Sequence, residues 1–205
     1  MRVAVLGAGV VGVTTAYYLT NAGHDVTIID RNDDVAASCS HANGAQLSYS
    51  YVDAMASPAF LLRTPGLIAG IDRAIRVRPP LTFDLLRWGL RFIGQCTQRR
   101  AAANTLANLE LARRSNELLD DLRKTIKGDF NFRAAGKLVL LRKQSELESA
   151  RRASTLKAQL GCPANVVSMQ EAADIEPAVG HMTGDYAGAV HSPGDDGGDA
   201  RAFTI

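Results

Sequence analysis

Apolar residues gather in two short runs near the N-terminus, Val3–Leu6 and Val26–Ile29. Between them Val13, Ala16, Tyr17 and Leu19 recur at helical spacing until Asn21-Ala22-Gly23 interrupts the pattern. Short apolar runs bounded by turn residues read as buried strands, and the 3.6-residue recurrence reads as a helix. The first thirty residues therefore predict strand, helix, strand. Farther along, Thr82–Cys96 has helical spacing, with Leu85, Trp88 and Phe92 on one stripe and Leu86, Leu90 and Ile93 beside it. A longer helix is predicted over about Ala101–Lys127, closed by Gly128. A strand at Gly136–Leu141, a charged helix at Ser145–Gly161 and a short strand at Val166-Val167 follow. Ser168 and Glu171 mark a capped helix that stops at Pro177, and Gly188–His191 reads as a last strand.

Two stretches lack a period. Arg31–Ser57 is polar and rich in small residues, with Asn32-Asp33-Asp34 as a turn, Val35-Ala36-Ala37 as a single helical turn and Ser38–Gly44 as a tight loop. Loops this long inside a compact domain usually carry function. Leu61–Pro80 mixes Leu67, Ile68 and Ile71 with Pro65, Pro79 and Pro80 and with Arg73, Arg76 and Arg78. It reads as an irregular crossing between domains. The division expected is 1–79 as a nucleotide-binding part, 80–192 as an inserted α+β part, and 193–205 as a return to the first. Asp195, Asp196 and Asp199 read as a turn and a helix cap. Asp199 would cap a helix barely one turn old at Ile205, so the expectation is a fragment, a frameshifted product or one piece of a split enzyme.

The chemistry lies in the first turn, Gly7-Ala8-Gly9-Val10-Val11-Gly12. Gly7 permits a tight strand-to-helix turn, Gly9 lets backbone approach a pyrophosphate, and Gly12 lets the helix lie close on the strand. The helix start, Ala8 to Val11, offers N–H groups and a positive dipole end to phosphates. Asp30 closes the second strand, where a carboxylate accepts the hydroxyls of a ribose. An ADP-containing dinucleotide is the ligand this spacing points to.

Composition narrows the classes. The 205 residues carry a net charge of +2, too small to argue for nucleic acid or an anionic surface as a partner. No stretch is long and apolar enough to predict a membrane-spanning helix. Three cysteines and four histidines show no metal-ligand spacing, and sparse thiols suit a cytoplasmic compartment. No Ser-His-Asp or Cys-His set stands out, so no catalytic side chain is assigned and no metal is expected. Tyr49 and Tyr51 read as half-buried aromatics, and His41 sits in the small-residue loop.

The glycine turn with Asp30, the loop Ser40-His41-Ala42-Asn43-Gly44-Ala45-Gln46, the Gly136 strand and Ser192-Pro193-Gly194-Asp195-Asp196 occur in this order in a known family. In these motifs the chain resembles FAD-dependent amine and amino-acid oxidoreductases, closest to the small subunit of bacterial D-amino-acid dehydrogenases. The resemblance runs over all 205 residues but only about the first half of such a protein. It implies an α/β fold, a Rossmann-like FAD-binding βαβ domain with an inserted α+β substrate domain. It also implies FAD as cofactor and oxidation of a D-amino acid to a 2-oxo acid and ammonium. Electrons would pass to a membrane quinone from a cytoplasmic protein, with peripheral contact at the inner face of the cell membrane and a second chain for the missing half both left open. It places Gly7, Gly9, Gly12 and Asp30 on the ADP, Ser40, Asn43, Gly44 and Gln46 along the phosphates and flavin, and Arg31 beside adenine or ribose. Two other readings stay open: a non-catalytic nucleotide-binding fragment, and an NAD-linked dehydrogenase with an unusual insertion. Against the latter, Arg31–Ser57 replaces the helix and third strand of a plain nicotinamide domain.

Overall fold

A computed structural model describes residues 1–71, 82–159 and 162–205. Strand β1 (Arg2–Leu6), helix α1 (Val10–Asn21) and strand β2 (Asp25–Ile29) form the expected βαβ unit, β1 and β2 pairing in parallel from Arg2 opposite Asp25 to Leu6 opposite Ile29. Gly23, at φ +83°, takes the chain from the end of α1 into β2.

Residues 35–37 are a turn rather than a helical turn. Ala36 is left-handed at φ 54°, and its N–H donates to the Ala8 carbonyl oxygen at 2.9 Å, so its bonding runs to the glycine turn. The stretch read as an irregular crossing opens as a helix, α2 (Pro58–Ile68). Ser57 caps it and Pro58 sits at its first position, where the missing N–H costs nothing. Pro65 lies inside α2, where the apolar Phe60, Leu61 and Leu67 around it outweigh one lost backbone bond. Arg73, Arg76, Arg78, Pro79 and Pro80 lie outside the described residues, as does the Gly161 helix stop.

Helices α3 (Phe83–Gln95) and α4 (Gln98–Arg123) follow. The latter ends four residues earlier than its spacing predicts. There Lys124 and Thr125 turn their N–H groups to carbonyls three residues back, and the Thr125 hydroxyl donates to the Leu122 oxygen as well. That tightening ends the α-helix before Gly128.

A three-stranded antiparallel sheet is built from β4 (Lys137–Leu141), β5 (Asn165–Val167) and β6 (Gly188–Ser192), in the order β4-β6-β5. Helices α5 (Gln144–Gln159) and α6 (Met169–Ile175) connect its strands, with a 3₁₀ turn at Pro177–His181. The Ser168–Glu171 capping box forms in full. Ala172, Val179 and Ala189 make the centre of a small core, with Leu138, Leu140, Val167 and Met169 packed around them. Last come β7 (Asp196–Gly197) and α7 (Ala200–Thr204), the latter capped by Asp199. A further pairing was not foreseen from the sequence. Residues Gln46–Leu47 form a short strand antiparallel to Asp196–Gly197.

Two compact units result. One holds residues 1–50 and 118–205; the other, 51–117, is helical. Among the described residues, no helix is long and apolar enough to cross a membrane.

Candidate functional site

The site grows out of the β1–α1 turn. Gly7 stands at φ +107°, where a side chain would be strained, and its N–H donates to the Ile29 oxygen at 2.7 Å. Gly12 is required for a different reason. A Cβ there would stand 1.9 Å from the Gly7 carbonyl oxygen, so any side chain would push the helix off the turn. At Gly9 a Cβ would meet the Ser40 Oγ at 3.1 Å. The turn is thus held as bare backbone, open to a group that approaches the main chain.

Side chains from the following loop satisfy the turn's donors. The Ala8 N–H donates to Asp30 Oδ2 at 2.7 Å, and the Val10 N–H to Ser40 Oγ at 3.0 Å. Gly9, the residue before α1, offers no side chain of its own, so Ser40 caps the helix from thirty residues away. Asp30 Oδ1 accepts from the Asn32 backbone N–H at 2.8 Å and its side-chain amide at 2.7 Å. The bond from Ala8, then those from Asn32, with a smaller push from Arg31, hold this carboxyl below the usual carboxylate range. Asp30 is therefore an anion at neutral pH, fixed where β2 ends.

The structure brings Gly7, Ala8, Gly9, Val10, Gly12, Asp30 and Ser40 into one bonded group, with Val11 projecting from the first turn of α1. The other sequence candidates lie apart from it. Arg31, Asn43, Gly44 and Gln46 are exposed, and among the described residues no hydrogen bond links any of them to the turn. Asn43 instead folds its own loop, its Oδ1 accepting from the Ala45 N–H at 2.9 Å, and Gln46 enters the short strand against Gly197.

Sequence reasoning missed the clasp beneath that loop. Asp195, read as part of a surface turn, is wholly buried. Its Oδ1 accepts from the N–H groups of Tyr49 and Ser50, both at 2.9 Å, and its Oδ2 from the Ser50 hydroxyl at 3.0 Å. Lys137 adds a bond from its ammonium to the Ser48 hydroxyl at 2.9 Å. Tyr49 is buried, its hydroxyl without a hydrogen-bond partner among the described residues. Burial first, then Asp196, Asp120 and Asp195, push its phenol upward, so it stays neutral. Burial and Asp120 likewise raise the Asp196 carboxyl. The only hint in the sequence was the acidic pair after Pro193-Gly194.

These residues fit the ADP part of FAD on two grounds. The turn excludes Cβ atoms where a pyrophosphate would meet backbone, and an ionised carboxylate stands at the neighbouring strand end.

Comparison with known proteins bears on this site. Residues 2–205 match the family described as DAO, FAD dependent oxidoreductase. The D-amino acid dehydrogenase 2 of Ralstonia nicotianae is 39% identical over 206 residues, a match covering 100% of this chain and 48% of that protein. The D-amino acid dehydrogenase of Phenylobacterium zucineum is 34% identical over 204 residues, again 100% and 48%. The chain therefore spans about half the length of these relatives. Among solved structures, an L-proline dehydrogenase from P. horikoshii superposes with TM-score 0.65 at 20% identity, covering 99% of this chain and 39% of that one. A glycine oxidase from Geobacillus kaustophilus gives 0.64 at 20%, covering 99% and 42%. At such identities these two show the fold alone, an α/β fold.

Proposed function

The chain belongs to the DAO family of FAD-dependent oxidoreductases, and from that premise we propose that it forms the cofactor-binding part of a D-amino-acid dehydrogenase. The reaction is oxidation of a D-amino acid at its α-carbon, the imino product hydrolysing to a 2-oxo acid and ammonium. The observation that carries the reading is the bare glycine turn locked to an ionised Asp30. FAD, when bound, supplies the electron acceptor for the oxidation. This chain's residues bind and orient it. Gly7 to Gly12 receive the pyrophosphate on their backbone, Asp30 holds the adenosine ribose, and Ser40 turns its hydroxyl from the Val10 N–H toward a phosphate oxygen. Arg31 flanks the adenosine, and Asn43, Gly44 and Gln46 line the phosphates and flavin edge. The Asp195 clasp fixes the end of that loop.

In this reading residues 1–79 serve the cofactor, 80–192 the substrate side, and 193–205 lead back to the cofactor. Turnover then requires the length found in the relatives and not in these 205 residues, supplied by the same polypeptide or a second chain. The final acceptor is a membrane quinone, reached from the cytoplasmic face as a peripheral protein. The similarity to the Ralstonia and Phenylobacterium proteins supports the D-amino acid class.

A visible spectrum tests the cofactor assignment. The purified chain is mixed with FAD and desalted. Retained flavin bands, lost in an Asp30→Ala, Ser40→Ala double variant, are the expected result. Retention of NADH and not FAD would overturn it. Bleaching of the bands by D-alanine but not L-alanine, with the missing length supplied, tests the substrate class.

A further inference from the structure

Asn43 is the only one of eight asparagines followed by glycine. It lies in the irregular stretch between Ser40 and the short strand at Gln46, and both Asn43 and Gly44 are exposed. The asparagine side chain is folded back over the peptide that follows it. Its Oδ1 accepts from the Ala45 N–H at 2.9 Å, closing a ring that contains the Asn43 Cγ and the Gly44 nitrogen. Ala45 is left-handed at φ 51°, so the turn is tight.

The two nitrogens on either side of that carbon are free. Among the described residues no hydrogen bond engages the Gly44 N–H or the Asn43 side-chain amide nitrogen. A Cβ at Gly44 would meet nothing nearer than Gln46 Cγ at 4.0 Å, so the space around this peptide is open. The bond accepted at Oδ1 draws electrons from Cγ, as a donor aimed at a carbonyl oxygen does in acyl transfer.

Two other positions show what restrains such chemistry. Asp196-Gly197 has the same sequence of side-chain carbonyl and glycine nitrogen, but the Gly197 N–H donates to the Arg133 oxygen at 2.9 Å. Asn32 precedes Asp33, which carries a side chain, and its amide donates to Asp30 Oδ1 at 2.7 Å and Ser38 Oγ at 3.2 Å.

We propose that Asn43-Gly44 is a site of spontaneous deamidation, and that its conversion loosens the cofactor. The Gly44 nitrogen gives up its proton and bonds to Asn43 Cγ; the Cγ–Nδ2 bond breaks, and the amide nitrogen leaves as ammonia with that proton. Water then opens the cyclic imide at either carbonyl, leaving aspartate or isoaspartate at position 43. The sum is one water consumed and one ammonia released. The product carries a negative charge, and the isoaspartate form adds a methylene to the main chain between the Ser40 cap and the Asp195 clasp. The loosening rests on the reading above, in which Asn43 and Gly44 line the phosphates and flavin edge, where an added carboxylate repels the pyrophosphate.

The chain is held at mildly alkaline pH with and without FAD, sampled over days and digested with trypsin. Asn43 and Asn32 share the tryptic peptide 32–63, and tandem fragmentation tells them apart. The expected result is a gain of about 1 Da at Asn43 and not at Asn32, with isoaspartate formed. Bound FAD slows the gain. Gly44→Ala, whose Cβ has room in this loop, slows it about tenfold or more by obstructing ring closure. Flavin retained after desalting falls in step with the modified fraction. An Asn43 that stays unchanged, or converts no faster than Asn32, would overturn the proposal. So would full retention of flavin by the modified chain. A fresh, unmodified chain that holds no flavin overturns the cofactor reading and the loosening with it, while the mass at Asn43 still decides the deamidation.

Discussion

The β1–α1–β2 unit and the β4–β6–β5 sheet achieve order by opposite means. In the first, no strand residue is buried, and Leu6 and Ile29 are 81% and 50% exposed. Its definition comes from forbidden volume and polar locks: the Gly12–Gly7 approach, the Ala8–Asp30 bond and the Ser40 cap. In the second, Ala189 of the central strand is wholly buried against Ala172 and Val179, and apolar packing does the work. Backbone-determined geometry tolerates exposed flanks; packing-determined geometry does not. The lesson is that a glycine turn can be well formed even where little apolar surface covers it.

Four experiments sharpen that contrast. Gly12→Ala should have the largest effect, about 3 kcal/mol or more by urea unfolding, together with loss of flavin retention, because the new Cβ meets backbone that must shift. Ala189→Val should cost about 2 kcal/mol by overpacking the small core, yet leave FAD affinity unchanged within about twofold. If both substitutions moved flavin binding equally, the two regions would be one cooperative body and the comparison would fail. Ser40→Ala should remove about 1 kcal/mol from the unliganded chain, and thermal melting with excess FAD should show whether bound phosphate replaces the lost cap. The smallest effect is acid dependence at Asp30. Its carboxyl is lowered on folding, so it stabilises the chain above its ordinary value near about 4 and ceases to as pH falls through the lowered one. Urea midpoints of Asp30→Asn and the parent should therefore converge at low pH and separate above about pH 5.

How far the sequence disclosed this follows the same division. Glycine spacing, the strand-end acid, the Ser168–Glu171 box and the Asp199 cap are local, each written within a few residues, and all four local structures are present. Helix α2 was obscured because Pro65, with the prolines and arginines after it, read as an irregular crossing, although Pro65 is carried by apolar neighbours inside the helix. The inward and outward rows of α3 could not be assigned, since both are apolar and only the Phe60–Phe92 contact decides between them. The Asp195 clasp was invisible for another reason. A buried carboxylate and a turn carboxylate look alike until the chain 145 residues away is seen to lie against it.

That separation gives the clasp a consequence during synthesis. Residues 49 and 50 leave the ribosome long before Asp195 does, and at about 5–20 residues per second the interval is roughly seven to thirty seconds. Throughout it the loop that ends at Ser50 lacks the carboxylate that latches its far end. The far end of the loop can therefore be latched only after nearly the whole of these 205 residues has been made, however early its glycine turn forms.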